Sequence, residues 1–208
     1  MNHLLSKIGS YPFEKLNLLH KDIKPSKDVI NLSIGEPKLN ADSKVLDILN
    51  KETNSFSNYP PMNAVPELSE AYRQYLKNHF GIENVAEDEV CLVAGTREGT
   101  FSIIQALFNK ENVKEKPYVV MPNPFYQIYG GATTLAGGEA KFLDCPEEDN
   151  FQPDLDSLKS EDWQKCQILV LCSPNNPTGS VLPLSKLKNI LDLAEKYDFY
   201  VVSDECYV

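Results

Sequence analysis

The stretch Cys172–Gly179 carries the first side chains that suggest chemistry. It reads Cys-Ser-Pro-Asn-Asn-Pro-Thr-Gly and follows the apolar run Gln167–Leu171, which predicts a buried strand. Because proline fixes φ and removes a hydrogen-bond donor, Pro174 and Pro177 predict a rigid loop that presents Asn176. The Asn176 amide could donate to a ligand or cap its own turn, and the pattern leaves both open. A rigid, amide-bearing loop just beyond a parallel strand is typical of a small-molecule site.

Three further side chains follow predicted strands. Asp204 ends an apolar strand, where a desolvated carboxylate needs a hydrogen-bonded or cationic partner such as a protonated ring nitrogen. Its alternative role is to cap a following helix. Tyr207, three residues later, could donate to the same ligand or belong to the core. Tyr126 follows another strand and could stack on a planar ligand, although an aromatic ring at a helix start often serves packing alone.

The turn Gly95–Arg97 joins a predicted strand, Val90–Ala94, to a helix predicted over Thr100–Phe108. Unpaired N–H groups and the dipole at a helix start attract anions such as phosphate. The alternative is an ordinary turn in which Thr96 caps the helix. Taken together, the four features predict a phosphate seat, a stacking ring, an amide and a carboxylate around one crevice.

An alternating order of strands and helices must position these residues. Strands are predicted at Val90–Ala94, Tyr118–Met121, Ala140–Leu143, Ile168–Leu171 and Phe199–Val202, and helices between them at Thr100–Phe108, Phe125–Leu135, Leu155–Leu158 and Leu184–Tyr197. This order predicts an α/β fold whose mostly parallel sheet has helices on both faces. Upstream, the pattern predicts a half-exposed strand at Val29–Ile34 and helices at Tyr11–His20, Ala41–Lys51 and Pro66–Phe80, the last stopped by Gly81.

Composition excludes several classes of function. The 208 residues include 20 basic and 30 acidic side chains, a net charge of −10, which argues against a nucleic-acid surface. No apolar run approaches the roughly 20 residues that span a bilayer, and the N-terminus lacks a signal-peptide core, so we expect a cytoplasmic protein without a membrane partner. The three histidines and five cysteines lack metal-ligand spacing, which predicts no metal site and mostly buried thiols.

Four motifs in the same order along the chain carry a resemblance to a known family. Ser173–Gly179, Ser203–Tyr207, Ile34–Pro37 and Tyr59–Pro61 resemble the motifs of fold-type-I, class I/II pyridoxal-phosphate aminotransferases. The resemblance implies the PLP-transferase fold type I. It also implies an N-terminal arm with part of the small domain over residues 1–45, and the N-terminal part of the large cofactor-binding domain over residues 46–208.

The resemblance implies roles for individual residues around pyridoxal 5′-phosphate. The backbone N–H groups of Thr96 and Arg97 would hold the phosphate, and Tyr126 would stack on the pyridine ring. Asn176 and Tyr207 would bond its phenolic oxygen, and Asp204 would pair with the protonated ring nitrogen.

Two upstream residues complete the implied site. Gly35, with Asn176, would approach the substrate carboxylate. Tyr59 would reach the phosphate of the neighbouring subunit's cofactor, which implies a homodimer with shared sites.

Within the family, four segments are similar to the succinyldiaminopimelate aminotransferases: Tyr11–Leu16, Leu32–Lys38, Gly95–Glu98 and Pro124–Tyr129. This likeness implies amino transfer between glutamate/2-oxoglutarate and N-succinyl-2-amino-6-oxopimelate in lysine and diaminopimelate synthesis. An aspartate-type or broad-specificity aminotransferase is the alternative, because such enzymes share most of these motifs.

The chain departs from the family pattern in one respect. The family's Schiff-base lysine and its substrate-binding arginines belong to later motifs, and no lysine here matches the catalytic one, so we assign no catalytic residue. We therefore expect a fold incomplete at the C-terminus, with exposed sheet edges, and a chain inactive by itself. A non-catalytic pyridoxal-phosphate binder remains an alternative. A nucleotide-binding α/β protein is another, weakened because no G-x-G-x-x-G or P-loop motif occurs.

Overall fold

The computed structural model describes residues 2–9, 11–36, 39–57, 59, 66–111 and 116–208. The chain forms two compact units, one of Met1–Ser10 with Val93–Val208 and one of Tyr11–Leu92. Of the described helices, none is both long enough and apolar enough to cross a bilayer.

The unit Tyr11–Leu92 is helical where it is regular. Its helices are α1 (Pro12–His20), α2 (Ser43–Lys51) and α3 (Pro66–Phe80), which confirms the three predicted helices. Asp42 caps α2 by accepting from the Lys44 N–H at 2.8 Å. Gly81 follows α3 with φ +67°, the left-handed conformation that favours glycine and stops a helix.

Two of the predicted strands are wrong. No strand forms at Val29–Ile34, where Ile30 is 83% exposed, nor at Val90–Ala94, although the backbone of Val90 is extended. An extended segment becomes a strand only when a neighbour takes its N–H and C=O groups. Among the described residues, no strand lies beside either segment, so neither segment is paired.

The unit that contains Val93–Val208 is built on a four-stranded sheet. Its strands are β1 (Tyr118–Asn123), β2 (Glu139–Asp144), β3 (Cys166–Cys172) and β4 (Tyr200–Asp204). All neighbours are parallel, in the order β2-β1-β3-β4, and the register pairs Met121 with Phe142 and Leu169 with Val201. The four predicted strands of this region and the parallel sheet are therefore confirmed.

Helices cover both faces of this sheet, as predicted. They are α4 (Thr96–Leu107), α5 (Gln127–Ala136), the short α6 (Ser160–Trp163) and α7 (Leu184–Tyr197). A 3₁₀ turn at Leu155–Ser157 replaces the brief helix predicted there, and α4 begins one turn earlier than predicted.

The core divides between the two faces according to strand alternation. Val119, Met121, Ile168 and Val170 pack with α4 and α5, whereas Val120, Leu169 and Leu171 pack with Trp163 and α7. Every one of these strand residues is at most 1% exposed. The result is a three-layer α/β/α arrangement in which helices and loops meet the carboxyl ends of the strands.

The cysteine expectation is only half right. Cys166 and Cys172 are buried, and Cys145 is partly buried, but Cys91 and Cys206 are exposed. Both exposed thiols lie outside the strands, whereas the two buried ones are the first and last residues of β3.

Candidate active site

Asp204 and the asparagine loop lie side by side at the carboxyl edge of the sheet. The last residue of β3, Cys172, pairs in register with Asp204, the last residue of β4. Pairing continues into the loop, because the Ser173 N–H donates to the Asp204 carbonyl at 3.3 Å. The prediction that Asn176 and Asp204 lie at the same edge of the sheet is therefore confirmed.

A buried tyrosine that the sequence analysis missed holds the Asp204 carboxylate. The Tyr129 hydroxyl donates to Asp204 Oδ2 at 2.7 Å, and the Cys206 N–H donates to Oδ1 at 3.3 Å. Tyr129 is 1% exposed, and its pKa is raised well above the usual tyrosine range by burial first and by the Asp204 carboxylate second. The hydroxyl is therefore a permanent donor that fixes the orientation of the carboxylate.

Tyr126 lies over the same region. It is the residue before α5, partly buried, and its ring meets the Tyr129 ring edge-on with centroids 5.8 Å apart. The two tyrosines are three residues apart, which places them on one side of a helix start. That spacing, directly after a strand, is the sequence signal that could have revealed Tyr129.

The neighbouring asparagine, Asn175, performs the turn-capping role considered for Asn176. Asn175 Oδ1 accepts from the Thr178 hydroxyl at 3.1 Å, and its backbone N–H donates to the Ser180 carbonyl at 2.8 Å. Within the described ranges, the Asn176 side-chain amide has no hydrogen-bond partner and is only partly buried. Asn176 therefore keeps its side-chain donors for a ligand.

The start of α4 offers unpaired backbone donors at Thr96 and Arg97. Gly95, not Thr96, is the residue before the helix, so the alternative in which Thr96 caps α4 is wrong. The φ of Gly95 is +118°, which an L side chain rarely adopts, and the first helical bond runs from the Gly99 N–H to the Gly95 carbonyl at 3.0 Å. The N–H groups of Thr96 and Arg97 precede that bond and have no partner within the helix.

The contacts of the opposite end of α4 show which way the helix points. Beyond its C-terminus, Asn109 exchanges two hydrogen bonds of 2.8 and 2.9 Å with the side chain of Gln167, near the beginning of β3. Because the C-terminal end of α4 lies at the amino ends of the strands, its N-terminus points toward their carboxyl ends. The Glu98 carboxylate lies close to this helix start, because its Oε2 would be only 3.2 Å from a Cβ atom placed on Gly95. Its negative charge would repel an anion bound there.

Tyr207 lies beyond β4 and is less enclosed. Its side chain is 57% exposed, and its pKa is raised by partial burial first and then by the adjacent Cys206 thiol. Although the Cys206 residue as a whole is exposed, its pKa is raised to about 11, chiefly by partial burial of the thiol and then by the charge of Asp204. Asp204, Cys206 and Tyr207 thus form one polar group at the end of β4.

Gly35 and Tyr59 belong to the other unit, and both are exposed. Parts of their motifs, Pro37–Lys38 and Pro60–Pro61, lie outside the described residues. The roles expected for Gly35 and Tyr59 therefore stay predictions.

The chemistry of the described residues fits pyridoxal phosphate. The unpaired N–H groups at the start of α4 suit a phosphate, and the free amide of Asn176 suits an oxygen acceptor. Asp204, whose Oδ2 accepts a hydrogen bond from Tyr129, offers a carboxylate suited to a cationic ring nitrogen. Across the described part of the chain, no three histidine, cysteine or acidic side chains are grouped as metal ligands would be.

Comparisons with known proteins agree with this arrangement. Residues 27–208 match the profile described as "Aminotransferase class I and II". The chain is 30% identical over 194 residues to an aspartate aminotransferase of Pyrococcus horikoshii, covering 93% of this chain and 48% of that protein. It is 29% identical over 207 residues to LL-diaminopimelate aminotransferase 2 of Nostoc, covering 98% and 52%.

A solved structure matches the whole chain. An aminotransferase from Neisseria meningitidis superimposes with a TM-score of 0.91 at 41% identity, covering 100% of this chain and 53% of that one. The chain therefore spans about half the length of the relatives it matches. Its fold is that of the fold-type-I transferases, and the chain belongs to the class I and II aminotransferases, a family of pyridoxal-phosphate-dependent enzymes.

Proposed function

We propose that this chain forms the cofactor-holding N-terminal portion of an aminotransferase. Its reaction would move an amino group between glutamate/2-oxoglutarate and N-succinyl-2-amino-6-oxopimelate, in lysine and diaminopimelate synthesis. The observation that carries the proposal is the carboxylate of Asp204, oriented by Tyr129 at 2.7 Å, beside the unbonded amide of Asn176. Relatives named for aspartate and LL-diaminopimelate support a dicarboxylic amino-acid substrate.

The proposed cofactor contacts follow from the chemistry of each group. Asp204 would hold a proton on the ring nitrogen, because a nearby carboxylate favours the positively charged form of that nitrogen. Asn176 and Tyr207 would donate to the phenolic oxygen, and Tyr126 would cover one ring face. When bound, pyridoxal phosphate supplies the electron sink that amino transfer requires.

The phosphate would lie on the N–H groups of Thr96 and Arg97. A helix start stabilises an anion through its unpaired donors and its dipole. For a phosphate to bind, the Glu98 carboxylate would turn away from Gly95, a small movement for an exposed side chain.

The remaining roles extend to a second subunit and to substrate. Gly35, together with Asn176, would contact the substrate carboxylate, and Tyr59 would reach the partner's phosphate in a homodimer. Both residues are exposed in this chain, as contacts completed elsewhere would require. The net charge of −10 argues against a nucleic-acid partner, and we place the protein in the cytoplasm without a membrane partner.

Two other functions remain as alternatives. An aspartate-type or broad-specificity aminotransferase is favoured by the relatives named for aspartate. A non-catalytic pyridoxal-phosphate binder is the second alternative. We expect the 208-residue chain alone to be inactive, because none of its lysines matches the family's Schiff-base lysine.

The test is amino transfer by the whole protein that the gene encodes, with glutamate and either the N-succinylated keto acid or oxaloacetate. We expect the N-succinylated keto acid to give the higher kcat/KM. A higher value with oxaloacetate would favour the aspartate-type alternative, and bound cofactor without turnover would favour the binder. Turnover by the 208-residue chain alone would contradict its expected inactivity.

The role of Asp204 is tested by Asp204→Asn, which keeps the shape but cannot hold a proton on the ring nitrogen. We expect kcat to fall about 100-fold or more, the range for removing one electrostatic stabiliser. Asp198→Asn is the matched control, because Asp198 lies at φ +55°, where asparagine is well tolerated. Equal kcat values for the two variants would contradict the role of Asp204.

A further inference from the structure

The loop that presents Asn176 accepts two hydrogen bonds from Gln152, a residue that belongs to none of the family motifs. Gln152 is 9% exposed, and its Nε2 donates to Ser180 Oγ at 2.5 Å and to the Val181 carbonyl at 3.0 Å. Both partners lie 28 or more residues away along the chain, at the end of the asparagine loop. We propose that Gln152 is a positioning residue that sets the position and orientation of Asn176 in the cofactor site.

The route from Gln152 to Asn176 is short and made of hydrogen bonds. Gln152 binds the Ser180 hydroxyl, and the Ser180 carbonyl accepts from the Asn175 N–H at 2.8 Å. The Gly179 N–H closes the loop onto the Asn175 carbonyl at 2.7 Å. A shift of Ser180 therefore moves Asn175, and Asn176 is the next residue.

The segment that carries Gln152 is itself fixed. Asn150 and Phe151 have φ values of +51° and +57°, and the Phe151 N–H donates to the Pro146 carbonyl at 2.9 Å. On the other side, the Asp154 N–H donates to the carbonyl of Asp144, the last residue of β2, at 2.7 Å. The amide of Gln152 thus projects from a turn attached to the sheet.

The turn that carries Gln152 lies close to the asparagine loop. Phe151 and Pro153 face Asn175 and Ser180 across a cavity of only about 10 Å³, room for no more than one water molecule. Little space therefore separates the turn from the loop.

A glutamine is not what packing alone would favour here. In the described part of the chain, Gln152 Oε1 is buried without a hydrogen-bond partner, which is unfavourable for a carbonyl oxygen. The amide cannot turn over to relieve this, because the Val181 carbonyl is only an acceptor and requires the NH₂ group. The Nε2 group of Gln152 therefore binds the loop, while the Oε1 atom of the same side chain is left without a hydrogen bond.

The test rests on the proposed function, because its readout is pyridoxal-phosphate binding by the whole protein encoded by the gene. Gln152→Met keeps the size of the side chain and removes both donated bonds. We expect its pyridoxal-phosphate Kd, measured by fluorescence titration of the cofactor-free protein, to rise about three- to tenfold. Gln164→Met, at an exposed glutamine, is the matched control and is expected to leave the Kd unchanged.

A double-mutant cycle separates positioning from general loosening. If Gln152 acts through Asn176, then Gln152→Met adds less than twofold to the Kd of Asn176→Ala, although each alone weakens binding. The pH midpoint of the bound cofactor's visible absorbance should shift in the same direction in both single variants. If Gln152→Met does not fold, Ser180→Ala is the substitute variant, because it removes one of the two acceptors of Gln152 at a half-buried site. We expect Ser180→Ala to raise the pyridoxal-phosphate Kd by less than Gln152→Met would.

The outcomes are distinct. Wild-type protein that binds no pyridoxal phosphate would overturn the proposed function and this inference with it. Wild-type protein that binds, with Gln152→Met binding equally well or with fully additive effects, would overturn the role of Gln152 alone.

Discussion

The two compact units differ in how their apolar residues are used. In the unit of Val93–Val208, apolar strand residues are sealed between helical layers, and Val119, Ile168 and Leu169 are fully buried. In Tyr11–Leu92, the only buried residue among those described is the polar Ser69, and Leu46 and Ile48 on α2 are 46% and 61% exposed. Both units contain helices, so the presence of a helix does not by itself imply a buried core around it.

The largest expected difference between the units concerns their leucines. Leu169→Ala removes a fully buried side chain from β3 and should lower the free energy of unfolding by about 2–5 kcal/mol. Leu46→Ala, on the exposed face of α2, should change it by less than about 0.5 kcal/mol. Urea denaturation checks both, and an equal loss for Leu46→Ala would show that the α2 face is covered in the protein.

A smaller difference is expected between buried and exposed tyrosines. Tyr129→Phe removes a hydrogen bond to a charged carboxylate and should lower the free energy of unfolding by about 1.5–3 kcal/mol. Tyr72→Phe, at a 47% exposed ring on α3, should cost less than about 0.5 kcal/mol. Thermal or urea unfolding measures the pair, and similar values would mean that the Asp204 contact contributes nothing to stability.

The smallest expected effect is the pH dependence from a buried thiol. Burial raises the pKa of Cys166 from its ordinary value of 9.0 to about 12. The unfolded chain therefore releases this proton first, so the stability contributed by the thiol is complete below pH 9 and is lost as pH rises toward 12. At pH 10 the loss should be about 1.4 kcal/mol.

Cys166→Ala is expected to flatten the fall of unfolding free energy between pH 9 and 12. Cys91→Ala, at an exposed thiol in the other unit, is the matched control and should leave that slope as it is. An identical slope in Cys166→Ala and the wild type would contradict the assignment.

The same contrast explains which elements could be predicted from sequence. The apolar runs Tyr118–Met121 and Ile168–Leu171 predict strands, and the structure pairs them and buries most of their residues. Val90–Ala94 has an equally apolar pattern but no neighbouring strand in the described structure, and it stays unpaired. A short apolar run therefore indicates the capacity for a strand, whereas pairing depends on what lies beside it.

Sequence alone determined the order of the elements, the α/β class, the family resemblance and the edge at which Asp204 and Asn176 meet. These follow from local patterns and from one rule about parallel strands, which need no knowledge of individual contacts. Only the tertiary structure decided that Tyr129 holds Asp204 across 75 residues and that Gln152 supports the asparagine loop across 28. Such contacts join residues distant along the chain, and only packing brings their donors and acceptors within hydrogen-bond distance.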